Sequence, residues 1–256
     1  ISNLTWTPNG ETLLFNESRR TDLNLHRMNI EDGKITDLTR IHGTFQVHGF
    51  SKDRKQMVYS YSDFKTPQDL YVSMVDKLDP IRLTEANPWI KDKIQLAGCE
   101  VIRWKSKDGM EIEGVLYVPD MLPQDKGFPL IVTIHGGPPG RFANRFRPIF
   151  HVFAGLGYAS LLPNIRGSSS YGDDLLTALQ GDVGGGEYDD VMSGVDYVIE
   201  KGIANPENLG VRGWSWGGIL GSWVITQTKR FSAASSGARV GSWPSHSGPG
   251  LFWDLK

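Results

Sequence analysis

The residues best suited to covalent chemistry lie in RGWSWGGIL, residues 212–220. A serine hydroxyl is a weak nucleophile. It acts when a base takes its proton and when fixed N–H donors hold the oxyanion that its attack creates. Gly213 and Gly217 frame Ser215 as G-x-S-x-G, between the strand-like ENLGVRGWS and a helical run from Gly217 to Lys229 carrying Ile219, Trp223 and Val224. In that setting a sharp strand-to-helix turn lifts the serine Oγ above the sheet. Side chains at 213 and 217 would strike neighbouring backbone, and Gly218 lets the helix pack closely.

HGGP, residues 135–138, supplies a second piece. It ends the apolar run PLIVTIHGG, which reads as a buried parallel strand. A glycine-rich loop in that position offers one oxyanion N–H, and the residue after the nucleophile offers the other. Here these are Gly137 and Trp216, each donor worth about 3–4 kcal/mol of barrier. The aromatic rings of Trp214 and Trp216 serve equally well as pocket walls or as packing. Arg166 in NIRGSSSYG reads as a loop-orienting residue rather than a substrate contact.

The serine also needs a histidine oriented by an acid, in the chain order Ser, Asp or Glu, His. After Ser215 stand only His246 and Asp254, in the wrong order, with His246 in the loop-like GSWPSHSGPG. Upstream, His135 belongs to the glycine loop, His151 to a helix, and His26, His42 and His48 to strands. The 162 residues from Gln95 to Lys256 are few for an α/β domain of roughly 200–250 residues. The expectation is therefore that the triad Asp and His lie beyond residue 256, and that this chain by itself is inactive.

The elements that would position these groups fall into two rhythms. Residues 1–85 read as all-β, with TLLF, LNLHRMNI, QMVYSYS and DLYVSMV separated by turn signals at Pro8-Asn9-Gly10, Glu31-Asp32-Gly33 and Ser51-Lys52-Asp53. WTPNGETLLF recurs as FSKDRKQMVY at a spacing of 44 residues, the period of four-stranded propeller blades. Two blades fit, so most of such a ring is expected before Ile1. From about residue 96, strands alternate with helices. EVIRWKS and EIEGVLYVP form a hairpin about Lys107-Asp108-Gly109, RPIFHVFAGLG a helix, YASLLPN and FSAASSG strands. A helix over 187–201 carries Tyr188, Val191, Met192, Val195, Val198 and Ile199 on one face. Glu187, Asp189 and Asp190 crowd its start and are read as capping. The domains are expected at 1–90, propeller blades, and 91–256, an incomplete peptidase domain.

With IHGGPPG, LLPNIRGSSSYG, DDVMSGVDYVIEKG and LGVRGWSWGGILGSWVITQTKRF, the chain resembles the prolyl oligopeptidase family of serine peptidases. Its HGGP loop is more like the acylaminoacyl-peptidase branch than those with a tyrosine at that loop. The resemblance implies a partial α/β-hydrolase fold, a mostly parallel sheet with flanking helices, preceded by the last blades of a β-propeller. It implies an acyl-enzyme on Ser215 and short peptide substrates, admitted past a covering propeller. Ser170 stands where glycine is common in the family, and Trp216 where tyrosine is. A carboxylesterase of the same fold, or a non-catalytic interaction module, are the competing readings.

A formal net charge of −2 gives no reason to expect nucleic acid or an acidic membrane as partner. The single cysteine, Cys99, forms no internal disulfide and reads as inert core. No apolar run approaches the ~18–20 residues of a membrane span. No ligand spacing for a metal and no phosphate-loop pattern occurs, so no cofactor is expected. A soluble protein, cytoplasmic or periplasmic, fits this composition; compartment and oligomeric state are not legible.

Overall fold

The computed structural model describes residues 1–123 and 126–242. They form two compact units, Ile1–Ile94 with Ala143–Arg147, and Gln95–Phe142 with the residues from Pro148 onward. His246 and Asp254 lie outside the described residues.

The first unit is antiparallel. Strands β1 (Ser2–Trp6), β2 (Thr12–Arg19), β3 (Asp22–Asn29) and β4 (Ile35–Asp37) form one four-stranded meander. A second comprises β5 (Thr44–Phe50), β6 (Gln56–Ser62), β7 (Asp69–Met74) and β8 (Ile81–Arg82). A single parallel pair, Leu23 with Thr44, joins them. Short polar side chains close the turns. Asn9 Oδ1 accepts the Glu11 N–H, Asn29 Oδ1 that of Glu31, and Asp53 Oδ1 that of Lys55. These side chains stand in for the backbone partners a turn lacks. Between the turns, alternation buries Leu14, Leu25, Phe45, Val47, Met57 and Tyr59 in one core. Helix α1 (Pro88–Lys93) begins on its proline. Ala143–Arg147 joins this unit through Asn144, whose N–H donates to Thr21 O, Nδ2 to Asp22 Oδ1, and whose Oδ1 accepts the Phe64 N–H.

The second unit is α/β. Its elements are β9 (Gly98–Lys105), β10 (Glu111–Val118), β11 (Phe128–Ile134), α2 (Pro148–Gly155), β12 (Ala159–Asn164), α3 (Asp173–Thr177), α4 (Gly186–Glu200), β13 (Ala204–Trp214), α5 (Trp216–Gln227) and β14 (Phe231–Gly237). The sheet order is β14-β13-β11-β12-β10-β9. The run β12-β11-β13-β14 is parallel, whereas β9 and β10 form the antiparallel hairpin that leads into β12. Every residue of β12 is buried, as expected for a central strand covered on both faces. Val191, Val195 and Val198 of α4 enter the same core as Trp104, Leu161 and Val211. From β11 the chain moves to β12 on one side and then to β13 on the other. The crevice beyond the carboxyl ends of β11 and β13 is thus the topological switch point, where α/β sheets place their sites. No helix among the described residues is long and apolar enough to cross a membrane.

Candidate active site

Ser215 is the single residue between β13 and α5, at φ 57° and ψ −120°. That conformation costs an L-residue on the order of 1–3 kcal/mol and persists only where the surroundings over-determine it. They do so here. The Ser215 N–H donates to Gly237 O at 3.0 Å, and Ser215 O accepts the N–H groups of Gly218 at 2.8 Å and Ile219 at 3.0 Å. The two framing glycines are sterically obligatory. A methyl group on Gly213 would stand 2.1 Å from Gly217 O, and one on Gly217 would stand 2.1 Å from Ile134 O. The end of β11, the end of β13 and the start of α5 therefore meet backbone to backbone, and Ser215 is left exposed.

The glycine loop comes to the same place. A methyl group on Gly136 would lie 3.2 Å from Ser215 Cβ and 3.8 Å from its Oγ. Gly137 follows at φ 135°. His135 is buried, with Nε2 2.9 Å from Ser168 Oγ and Nδ1 3.0 Å from Gly136 O, so its ring organises the loop. Trp216, the first residue of α5, directs its N–H out of the helix N-terminus, where the helix dipole favours negative charge.

The two tryptophans part company. Trp214 is 70% exposed beside Ser215, whereas Trp216 is 4% exposed and turns its indole inward. The indole Nε1 donates to Glu187 Oε2 at 3.0 Å, and Glu187 Oε1 accepts the Gly184 N–H at 2.8 Å. Burial pushes the Glu187 carboxyl up to about 6, although both N–H donors oppose the rise. Beneath it, Arg166 clasps Asp190 from the core. Its Nε lies 3.0 Å from Oδ2 and its Nη2 2.8 Å from Oδ1, while Nη1 lies 3.0 Å from Asp108 Oδ2. Hydrogen bonding to Asp190 and Asp108 outweighs desolvation and holds the guanidinium above its usual range; the same bond holds Asp108 below the usual carboxylate range. Arg166 is thus a structural clamp.

Of the acids read as caps at the start of α4, Glu187 and Asp189 stand in its first turn as that reading expects, but Asp190 needs correction. Asp190 caps nothing: it is fully buried and bound to Arg166. Asp182 is the residue that accepts the Gly186 N–H, at 2.7 Å. Glu187 reaches back to Gly184 but also runs under the serine turn. A signal was present, since Glu187 and Asp190 share the helix face of Val191, Val195 and Val198. Among the described histidines, His26 bonds Asp37, His42 bonds Asp22, His48 bonds Ser60, and His151 accepts the Ala97 N–H. None bonds Ser215.

Residues 144–248 match the Prolyl oligopeptidase family. The chain is 34% identical over 199 residues to the uncharacterized peptidase YuxL of Bacillus subtilis, covering 77% of this chain and 30% of that protein. It is 25% identical over 235 residues to the acylamino-acid-releasing enzyme of Sus scrofa, covering 87% and 32%. An acylaminoacyl peptidase solved in complex with Z-Gly-Gly-Phe-chloromethyl ketone superposes with a TM-score of 0.83 at 25% identity, over 99% of this chain and 40% of that one. The chain thus spans about a third of the length of the curated relatives it matches. The sequence match places residues 144–248 in the prolyl oligopeptidase family, and the mostly parallel sheet and the serine on a strained bend accord with it.

Proposed function

We propose that Ser215 is the nucleophile of a serine peptidase acting on short peptides, of the acylaminoacyl- or dipeptidyl-peptidase kind. One observation carries this reading. Ser215 is held exposed at positive φ in contact range of the Gly136–Gly137 loop, at the switch point of a mostly parallel sheet.

In this reading Oγ attacks the substrate carbonyl carbon as its proton passes to a base. The carbonyl oxygen becomes an oxyanion held by the N–H groups of Gly137 and Trp216. Collapse expels the amine, which takes the proton from the base, and leaves an ester on Ser215 that water then cleaves. The base is a histidine oriented by an acid, both later in chain order than β14. The relative solved with a peptidyl chloromethyl ketone supports a peptide as substrate. Within the same proposal, the two meanders of the first unit are propeller blades: β2 and β6 begin 44 residues apart, as the sequence repeat does.

A fluorophosphonate probe tests the reading on the intact protein. Wild type should label covalently, and Ser215→Ala should lose labelling by about 10⁴-fold or more. Equal labelling of both would end the proposal. Faster turnover of acylaminoacyl or dipeptidyl anilides than of long-chain esters separates the peptidase from an esterase.

A further inference from the structure

Glu187 touches none of the reacting atoms, yet it is bonded to the side chain of a residue whose own N–H the mechanism uses. Its two oxygens take the Trp216 indole N–H and the Gly184 N–H, one each. Glu187 is 1% exposed and Trp216 4%, so both bonds are largely shielded from bulk water, although Glu187 borders a cavity. The indole therefore cannot swing without leaving a buried donor and a buried carboxylate oxygen unpaired. Trp216 is the first residue of α5, so fixing its ring fixes the peptide plane directly after Ser215.

We propose that Glu187 is a positioning residue of the oxyanion site: its carboxylate locks the Trp216 indole and thereby aims the Trp216 backbone N–H. The inference rests on the reading of Ser215 as nucleophile and of Trp216 as an oxyanion donor. The charge matters because only a carboxylate offers two strong acceptors to two donors; the neutral acid turns one oxygen into a hydroxyl. The surroundings do little to neutralise that charge. Asp182 and Asp190 both disfavour it. Arg166 is committed to Asp190 and Asp108. Arg239 lines the cavity that Glu187 also lines.

The test compares Glu187→Gln, Trp216→Phe and the double variant in the intact protein. Glu187→Gln keeps the volume and one carbonyl acceptor, so it decides the matter even if Glu187→Ala fails to fold. At pH 8 each single variant should label with the fluorophosphonate about tenfold more slowly, a fraction of the 10²–10³ lost when an oxyanion donor is removed outright. The double variant should be no slower than either single one, because both break the same bond. In protein carrying ¹⁵N-tryptophan, the Trp216 indole resonance, assigned from its absence in Trp216→Phe, should titrate near pH 6 in wild type. In Glu187→Gln it should not move. Wild-type labelling by Glu187→Gln, or additive losses in the double variant, would overturn the inference while Ser215→Ala remained unlabelled. Labelling of Ser215→Ala at the wild-type rate would instead overturn the reading on which it rests.

Discussion

Asp69 of the first unit and Glu187 of the second are carboxylates sealed almost equally well, at 4% and 1% exposure, and their affinities for a proton diverge. Burial alone would raise both. Around Asp69 it is outweighed by the Ala86 N–H, the Arg82 guanidinium and the Thr84 hydroxyl, so the group sits below the usual carboxylate range. Arg82 Nη2 lies 2.6 Å from Asp69 Oδ2, and Oδ1 takes the Thr84 hydroxyl at 2.8 Å and the Ala86 N–H at 3.0 Å. Glu187 is met by two uncharged N–H groups and stays high, at about 6. A paired charge of the first kind locks an element in place. A charge of the second kind is a net cost to the fold, and such costs collect at functional sites.

The largest effect should come from the second unit's own paired charge. Arg166→Met strands Asp190 in the core, and urea denaturation should show a loss of about 3–5 kcal/mol. A loss below 1 kcal/mol would mean that Asp190 finds water or another partner. Next, Asp69→Ala should cost the first unit about 2–3 kcal/mol by leaving the Thr84 and Ala86 donors unpaired. The contribution of Asp69 is present above its ordinary pKa, and acid titration should remove it as pH falls below about 4, through the lowered folded value.

Glu187→Gln should show the opposite pH dependence. A folded pKa of about 6 lies above the unfolded value of 4.5, so the fold penalises the ionised form. Stability is then fullest below pH 4.5 and declines as pH rises to 6, by about 2 kcal/mol in all. Relative to wild type, the glutamine variant should accordingly fare better at pH 7 than at pH 4, by about 2 kcal/mol, because it lacks the penalised ionisation. Denaturation at both pH values checks this; an equal stability difference from wild type at pH 4 and pH 7 would show that the fold does not raise the carboxyl. The smallest effect concerns strain. Ser170 shares the positive φ of Ser215, at 75° against 57°. Ser170→Gly should stabilise by about 0.5–1 kcal/mol in a thermal melt, relieving a strain that has no nucleophile to hold.

The strands with strong alternation and Asx turns, the α4 helix and the serine turn were all legible, because their signals are local. The elements that escaped are short or nearly unburied. Four of the five residues of β1 are exposed, β8 is two residues long, and α3 is a five-residue helix. In β5 the pattern is broken by a register shift between Val47 and Gly49. The return of Asn144 to the first unit was equally hidden, since its backbone and its side chain are anchored to residues far away in sequence.

By itself the sequence determined that a serine would be raised on a glycine-framed bend between strand and helix, and that a glycine loop would follow an earlier buried strand. Steric rules act between neighbouring residues, so letters suffice for that much. Only the tertiary structure decided which acids cap α4, which clamps Arg166, and which runs beneath Trp216. Glu187 and Trp216 stand 29 residues apart, and only the docking of α4 and α5 against β13 brings the carboxylate to the indole and buries it, raising its pKa.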